Sequence, residues 1–159
     1  MSDIIYSSIT GTKQGLITAG CGSSDSIGNR GQIGHLDQSL VYSLSHSMSR
    51  EQHVNHQPII FQKPVDKSSP LLYSSITNNE SMVIDFFFYR LSKNGCLDNY
   101  YKISLTDATI SDIITQFPHS ANNNSASPHE SIAVKYQSIT WTHISAGTSS
   151  YSIWDDRIY

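Results

Sequence analysis

Apolar and polar positions alternate with a period of two over much of this chain, the mark of strands with one buried face. Leu36, Leu40, Tyr42, Leu44 and Met48 share one parity, with Ser39, Ser43, Ser45 and Ser47 on the other, so the pattern predicts one long strand over 36–48. Tyr101, Ile103 and Leu105 alternate against Lys102, Ser104 and Thr106, and Ala108, Ile110 and Ile114 follow a tight corner at Thr106-Asp107. From Ser131 to His143 the apolar parity switches, from Ile132, Val134 and Tyr136 to Ile139 and Trp141. One extra residue in a β-bulge near Gln137-Ser138 produces such a switch. Val83–Leu91 is apolar on both faces and belongs at the centre of a sheet. Further strands are expected over Asp3–Thr10, residues 15–21, Ile59–Val65 as a partner of the 36–48 strand, and Thr148–Trp154 as an edge. Lys93-Asn94-Gly95 is a turn signal, and Phe117–Pro128 reads as a polar loop.

One stretch carries a helix signal instead. Ser68 or Ser69 can cap a helix, Pro70 suits its first position, and Leu72 and Ile76, four apart, share a face. Asn78-Asn79 is the stop. So short a helix is marginal alone and must pack on something. The expected fold is therefore mainly β (α+β): a compact β-barrel or sandwich of short antiparallel strands, one α-helix near residues 69–79 and an extended polar loop near 46–57. A single domain over 1–159 fits that length.

Composition narrows the function classes. Charged residues make up 14% of the chain and the net charge is -3, so no field suited to nucleic acid or an anionic membrane is present. The 28 serines let strand faces meet water through hydroxyls rather than charges. A surface of that kind resists association poorly, which favours an assembling protein. No apolar run approaches the roughly 20 residues that span a bilayer. Met1-Ser2-Asp3 leads into no basic and apolar signal segment, so synthesis in the cytoplasm is expected, with Cys21 and Cys96 as free thiols.

Candidate chemistry is sparse. Five glycines between Gly20 and Gly34 read as an irregular loop, and Gly20-Cys21-Gly22 lacks the remaining elements of a phosphate-binding loop. His46, His53 and His56 match no metal-site spacing, and Glu51 is not placed as a base between two ligands. No GxSxG elbow is present. Asp85, inside an apolar strand, is a candidate buried carboxylate that Arg90, Lys102 or a backbone N–H can satisfy. Asp155-Asp156 reads as a solvated terminus. No catalytic set, metal site or cofactor site assembles, and the expectation is not an enzyme.

The segment Lys63–Leu72, KPVDKSSPLL, closely resembles the K-x-x-D-K-x-S-P-x-L signature of the haemolysin-coregulated protein family, the inner-tube proteins of type VI secretion systems. Residues 7–21, 26–35, 46–58, 138–141 and 146–155 are also similar to its enterobacterial-type branch. The resemblance implies a tight β-barrel with one helix, homohexameric rings stacked into a tube, and expulsion of that tube with a spike tip from within a sheath. It also implies effector proteins carried in the ring lumen, export without a signal peptide, and neither nucleic-acid binding nor membrane insertion. By this likeness Arg50, Glu51, Gln52, His53, Val54, Asn55 and His56 form the loop that reaches a neighbouring ring or subunit. Lys63, Asp66, Lys67, Ser69, Pro70 and Leu72 carry the family signature and helix cap. Ser75 stands where members often have alanine, and the chain, stopping at Tyr159, looks like a plain tube protein without a toxin extension. Two other classes compete: a carbohydrate-type binding module using Tyr100, Trp141 or Tyr151, and a hydrolase using the histidine loop.

Overall fold

The computed structural model describes residues 3–28, 32–118, 121 and 127–154, without the side chain of Ile33. In chain order the elements are β1 (Ile4–Gly11), β2 (Gly15–Leu16), the helical turn α1 (Ser24–Ile27), a 3-10 turn (Ile33–His35), β3 (Ser39–Val41) and β4 (Ser43–Ser45). Then follow β5 (Met48–Arg50), β6 (Val54–His56), β7 (Ile59–Pro64), the helix α2 (Ser69–Thr77), β8 (Met82–Leu91) and β9 (Leu97–Gln116). The last three are β10 (His129–Lys135), β11 (Ser138–His143) and β12 (Thr148–Ile153).

Antiparallel neighbours run β1-β8-β9-β10-β7-β4, while β3, one residue before β4, pairs with β1. The strands therefore close on themselves through residues 39–45, and closure consumes edges that would otherwise invite association. The hairpin β11–β12 hangs on the first half of β9, and among the described strands β12 pairs only with β11, which makes it an edge. Inside lie Ile9, Phe61, Ile84, Phe86, Leu105 and Ile132, each at most 1% exposed, with the Phe61 and Phe86 rings edge to face. Leu72 of α2 joins this core and Ile76 packs against it, as their spacing predicts.

The placement of 83–91 at the centre of a sheet holds, since β8 lies between β1 and β9. The turn at Lys93-Asn94-Gly95 is present, with Gly95 at φ 81, a left-handed conformation glycine adopts without steric cost. Four expectations need correction. The strand expected over 36–48 is broken into β3, β4 and β5, because at Tyr42 the chain leaves the edge of β1 for that of β7. Its parity is also inverted at the start: Ser39 and Val41 are buried and Leu40 only half-buried, since the Ser39 hydroxyl donates to the Asp66 carboxylate inside, at 2.6 Å. Residues 15–21 hold only the two-residue β2, and Ile17 and Cys21 are buried in turns.

The parity switch near Gln137 is real, but no inserted residue causes it. Lys135 faces Thr109 and Ser138 faces Thr106, the same register on both sides. Both strands instead bend together where Asp107 takes φ 49, and the register shift itself lies at Ala133–Val134. The expected 117–128 loop falls largely outside the described residues, as does Asp155-Asp156. Within the glycine-rich stretch a Cβ at Gly22 would lie 2.2 Å from the His35 carbonyl oxygen, so only glycine lets these two backbones meet.

Candidate functional site

Two constellations gather the residues singled out from sequence, and they have different characters. The first is the polar stretch after β4. It is a small hairpin of its own, in which Met48 faces His56, Ser49 faces Asn55 and Arg50 faces Val54; these two strands form a separate sheet. Arg50, Glu51, Gln52 and Asn55 are exposed, while His53 and Val54 are half-buried. His56 does not belong to the exposed set: it is 6% exposed and sits at the hairpin base.

At that base Tyr136, in the corner between β10 and β11, offers one hydroxyl to two imidazoles. His46 Nε2 lies 2.8 Å from it and His56 Nδ1 2.7 Å. The other nitrogen of His56 is 3.0 Å from Ser152 Oγ on β12. The His56 ring stacks on Trp154, and Trp154 meets Tyr136 edge to face. His46 lies beside Trp141. Burial pushes both imidazoles below their ordinary pKa, with the His56 ring adding to the effect on His46, and burial raises the Tyr136 phenol. Three stretches that resemble the family, around 46–58, 138–141 and 146–155, thus converge on one contact.

His46 and His56 are drawn together, but among the described residues no cluster of His, Cys, Asp or Glu is suited to hold a metal. Ser152 and His56 have the separation of a nucleophile and its base. A hydrolytic set also needs a group that stabilises the imidazolium, and here the second ring nitrogen meets a phenol. The aromatics proposed as a binding platform do not share a face. Trp141 pairs with Ser150 and Tyr151 with Thr140, so alternation sends the two rings to opposite sides of the sheet. Tyr100 is engaged by Asp3 and lies under Arg90 at 4.5 Å.

The second constellation explains the signature. Lys63, at 0% exposure on β7, places its ammonium 2.9 Å from Glu130 Oε1, 3.0 Å from Asp66 Oδ1 and 3.2 Å from Ser69 Oγ. Asp66 accepts from the Ser68 amide and hydroxyl and from Ser39. Ser69 donates to Glu130 and accepts from the Asp66 amide at 3.0 Å. Neither serine hydroxyl caps the helix: Ser68 makes no side-chain cap bond, and Ser69, the first helical residue, turns into the buried network. Both hydroxyls are taken by buried charges, whose unmet demand costs more than that of an open helix end. Lys67 and Pro70 are exposed, and the Lys67 amide donates to Ser26 Oγ at 2.8 Å. The extra hydroxyl of Ser75 is satisfied, accepting from Gln14 at 2.9 Å and donating to the Leu71 carbonyl at 3.1 Å.

Tyr136 centres the first constellation and Glu130 anchors the second; in the sequence Tyr136 stood out only as a strand position, and Glu130 not at all. Cys21 borders the network; burial and then the Asp66 carboxylate push its thiol up to about 11. Asp85 is half-buried, takes the Ser104 hydroxyl and lies 3.9 Å from Lys102 Nζ, which satisfies it structurally.

Comparison with known proteins places this architecture. The family described as "Type VI secretion system effector, Hcp" matches residues 6–143. The chain is 39% identical to the "Major exported protein" of Pseudomonas aeruginosa, over 97% of this chain and 96% of that protein. It is 40% identical to the "Uncharacterized protein YhhZ" of Escherichia coli over 93% of this chain, which spans only 37% of that longer relative. Among solved structures, the "Secreted protein Hcp3 from Pseudomonas aeruginosa" superposes with a TM-score of 0.88 at 38% identity, covering 98% of this chain and 100% of that one. A further structure, "Crystal structure of Hcp protein", gives a TM-score of 0.91 at 28% identity, covering 98% and 99% of the two chains. With a family match over most of the chain, close to two-fifths identity over nearly the whole length of one relative, and superposition on solved structures over nearly every residue, the chain belongs to the Hcp family of type VI secretion proteins.

Proposed function

We propose that this protein forms homohexameric rings that stack into the expelled inner tube of a type VI secretion system and carry effectors in the lumen. The hairpin 48–56 is then the polar contact between neighbouring rings or subunits. The observation that carries this reading is the hairpin itself. Its strands pair only with each other among the described strands, and it presents Arg50, Glu51, Gln52 and Asn55 to solvent. A contact that forms and later disperses suits such polar groups better than apolar burial. The edge of β12, five of whose six residues are exposed, offers a second surface for ring closure. Its partners are then further copies of this chain, the spike tip, the sheath and effector proteins, with no cofactor, nucleic acid or membrane insertion. The role is structural rather than catalytic, and export runs through the secretion apparatus itself.

Light scattering with negative-stain imaging tests the reading. A cyclic hexamer with a contact on the order of 2,000 Å² or more is expected. A monomer at micromolar concentration overturns it.

A further inference from the structure

The base of the hairpin contains a hydrogen-bond relay centred on one phenol. The Tyr136 hydroxyl lies between His46 Nε2 at 2.8 Å and His56 Nδ1 at 2.7 Å. It has one proton, so with both rings neutral it donates to one of these nitrogens and accepts an N–H from the other. The Ser152 hydroxyl, 3.0 Å from His56 Nε2, can donate or accept there.

When both rings are protonated the phenol faces two N–H donors, its own hydrogen is turned out of the relay, and two cations share one hydroxyl. Among the described residues the groups that meet the two rings are uncharged: the Tyr136 phenol from the β10–β11 corner, Ser152 from β12, and the Trp141 and Trp154 rings. The titratable groups in the contact, among the described residues, are the two imidazoles and the phenol. Asp155 and Asp156, next along the chain, lie outside the described residues.

His46 precedes β5 by two residues and His56 ends β6, so the relay grips both legs of the hairpin. We infer that the His46–Tyr136–His56 relay is an acid-labile latch, holding the hairpin 48–56 on the barrel at neutral pH and releasing it as the imidazoles take up protons. Burial, which lowers both imidazole pKa values in the closed form, works in the same direction. Release of the hairpin by mild acid would loosen any assembly that uses it. That consequence rests on the ring-contact reading above, whereas the latch itself does not.

Hydrogen–deuterium exchange of the full-length protein, followed on peptides covering 46–57 between pH 7.5 and pH 5 and corrected for chemical exchange, tests the latch. The open fraction should rise below pH 6.5 by up to about tenfold per histidine per pH unit, while β10 amides stay protected. The pair His46→Gln and His56→Asn keeps an amide group near each bonded nitrogen without titrating, and should abolish the pH response. Tyr136→Phe should leave the hairpin open already at pH 7.5. Wild-type hairpin protection that does not change with pH overturns the latch. So does a response that persists in the histidine pair, since other groups such as Asp155 and Asp156 then carry it. Should the pair unfold, as β10 exchange would reveal, His46→Gln alone decides: a reduced slope supports the latch and an unchanged one overturns it. Imaging of rings at pH 7.5 in Arg50→Ala tests the contact reading separately, so the two ideas fail independently.

Discussion

Lys63 and Glu130, 67 residues apart in the chain, meet inside the barrel with ammonium and carboxylate 2.9 Å apart and neither side chain more than 1% exposed. The contact ties the end of β7 to the start of β10. Through Asp66 and Ser69 it also fixes the first turn of α2 against both.

Removing one member of this network should therefore be severe. Glu130→Ala leaves Lys63 only Asp66 as a counter-charge, and a loss of about 3–5 kcal/mol is expected in urea unfolding. Asp66 retains Ser39 and Ser68 as donors, so Lys63→Met with Glu130→Leu should cost clearly less than the two single changes added together. Additive losses would show that the two charges do not act as a pair.

The helix offers a sharper comparison. Leu72→Ala should cost about 2–5 kcal/mol, because Leu72 is 1% exposed within the core. Ser69→Ala removes a hydroxyl that serves Lys63, Glu130 and the Asp66 amide, so its loss should reach roughly 1–3 kcal/mol. A loss of only a few tenths in denaturant melts would place Ser69 outside the network.

Thiol chemistry should separate the two cysteines. Cys96 is exposed, whereas Cys21 is buried with its thiol held protonated up to about 11. Native protein at pH 8 should react with a thiol reagent at one site at once, and at the second only in denaturant. Immediate reaction of both would mean that the loop over Cys21 opens freely.

Stability should fall on mild acidification. Burial lowers the folded-state pKa of His46 and His56, so unfolding takes up protons once the pH drops through the unfolded value near 6.5. The sign follows: the urea midpoint is highest above pH 7 and declines from about pH 6.5 down toward the depressed folded values. His46→Gln with His56→Asn should flatten that decline.

For assembly, Arg50→Ala or Glu51→Ala should weaken ring stacking while leaving rings intact, visible as short or absent tubes in negative stain. Loss of the rings themselves would assign the hairpin to contacts within a ring. Tyr151→Lys, on the exposed β12 edge at 70% exposure, should leave melting unchanged and disturb oligomers only if that edge closes the ring.

Much of the architecture is legible from residues alone, because period-two alternation and a proline after serines are local signals. The central position of β8, the edge position of β12, the Lys93–Gly95 turn and the core face of α2 all follow from side-chain pattern and turn chemistry. The KPVDKSSPLL stretch identifies the family. Its reason for existing does not appear in that stretch, because two members of the network, Glu130 and Ser39, come from elsewhere in the chain.

What tertiary structure decided is where polar groups become internal. Alternation assumes that apolar side chains point inward, and that holds only while nothing inside needs a hydroxyl. Ser39 faces the core because Asp66 is there, Ser68 and Ser69 abandon the helix end because buried charges demand their hydroxyls, and His56 leaves the loop surface because Tyr136 and Trp154 form a site for it. Each partner lies in a segment distant in sequence or outside the period that predicts the strand. The sequence by itself determined most of the strands, the helix and the lineage through short-range pattern. Desolvating a charge or an imidazole costs more than misplacing a serine or breaking a strand, so the long-range fold alone decided which polar residues lie inside.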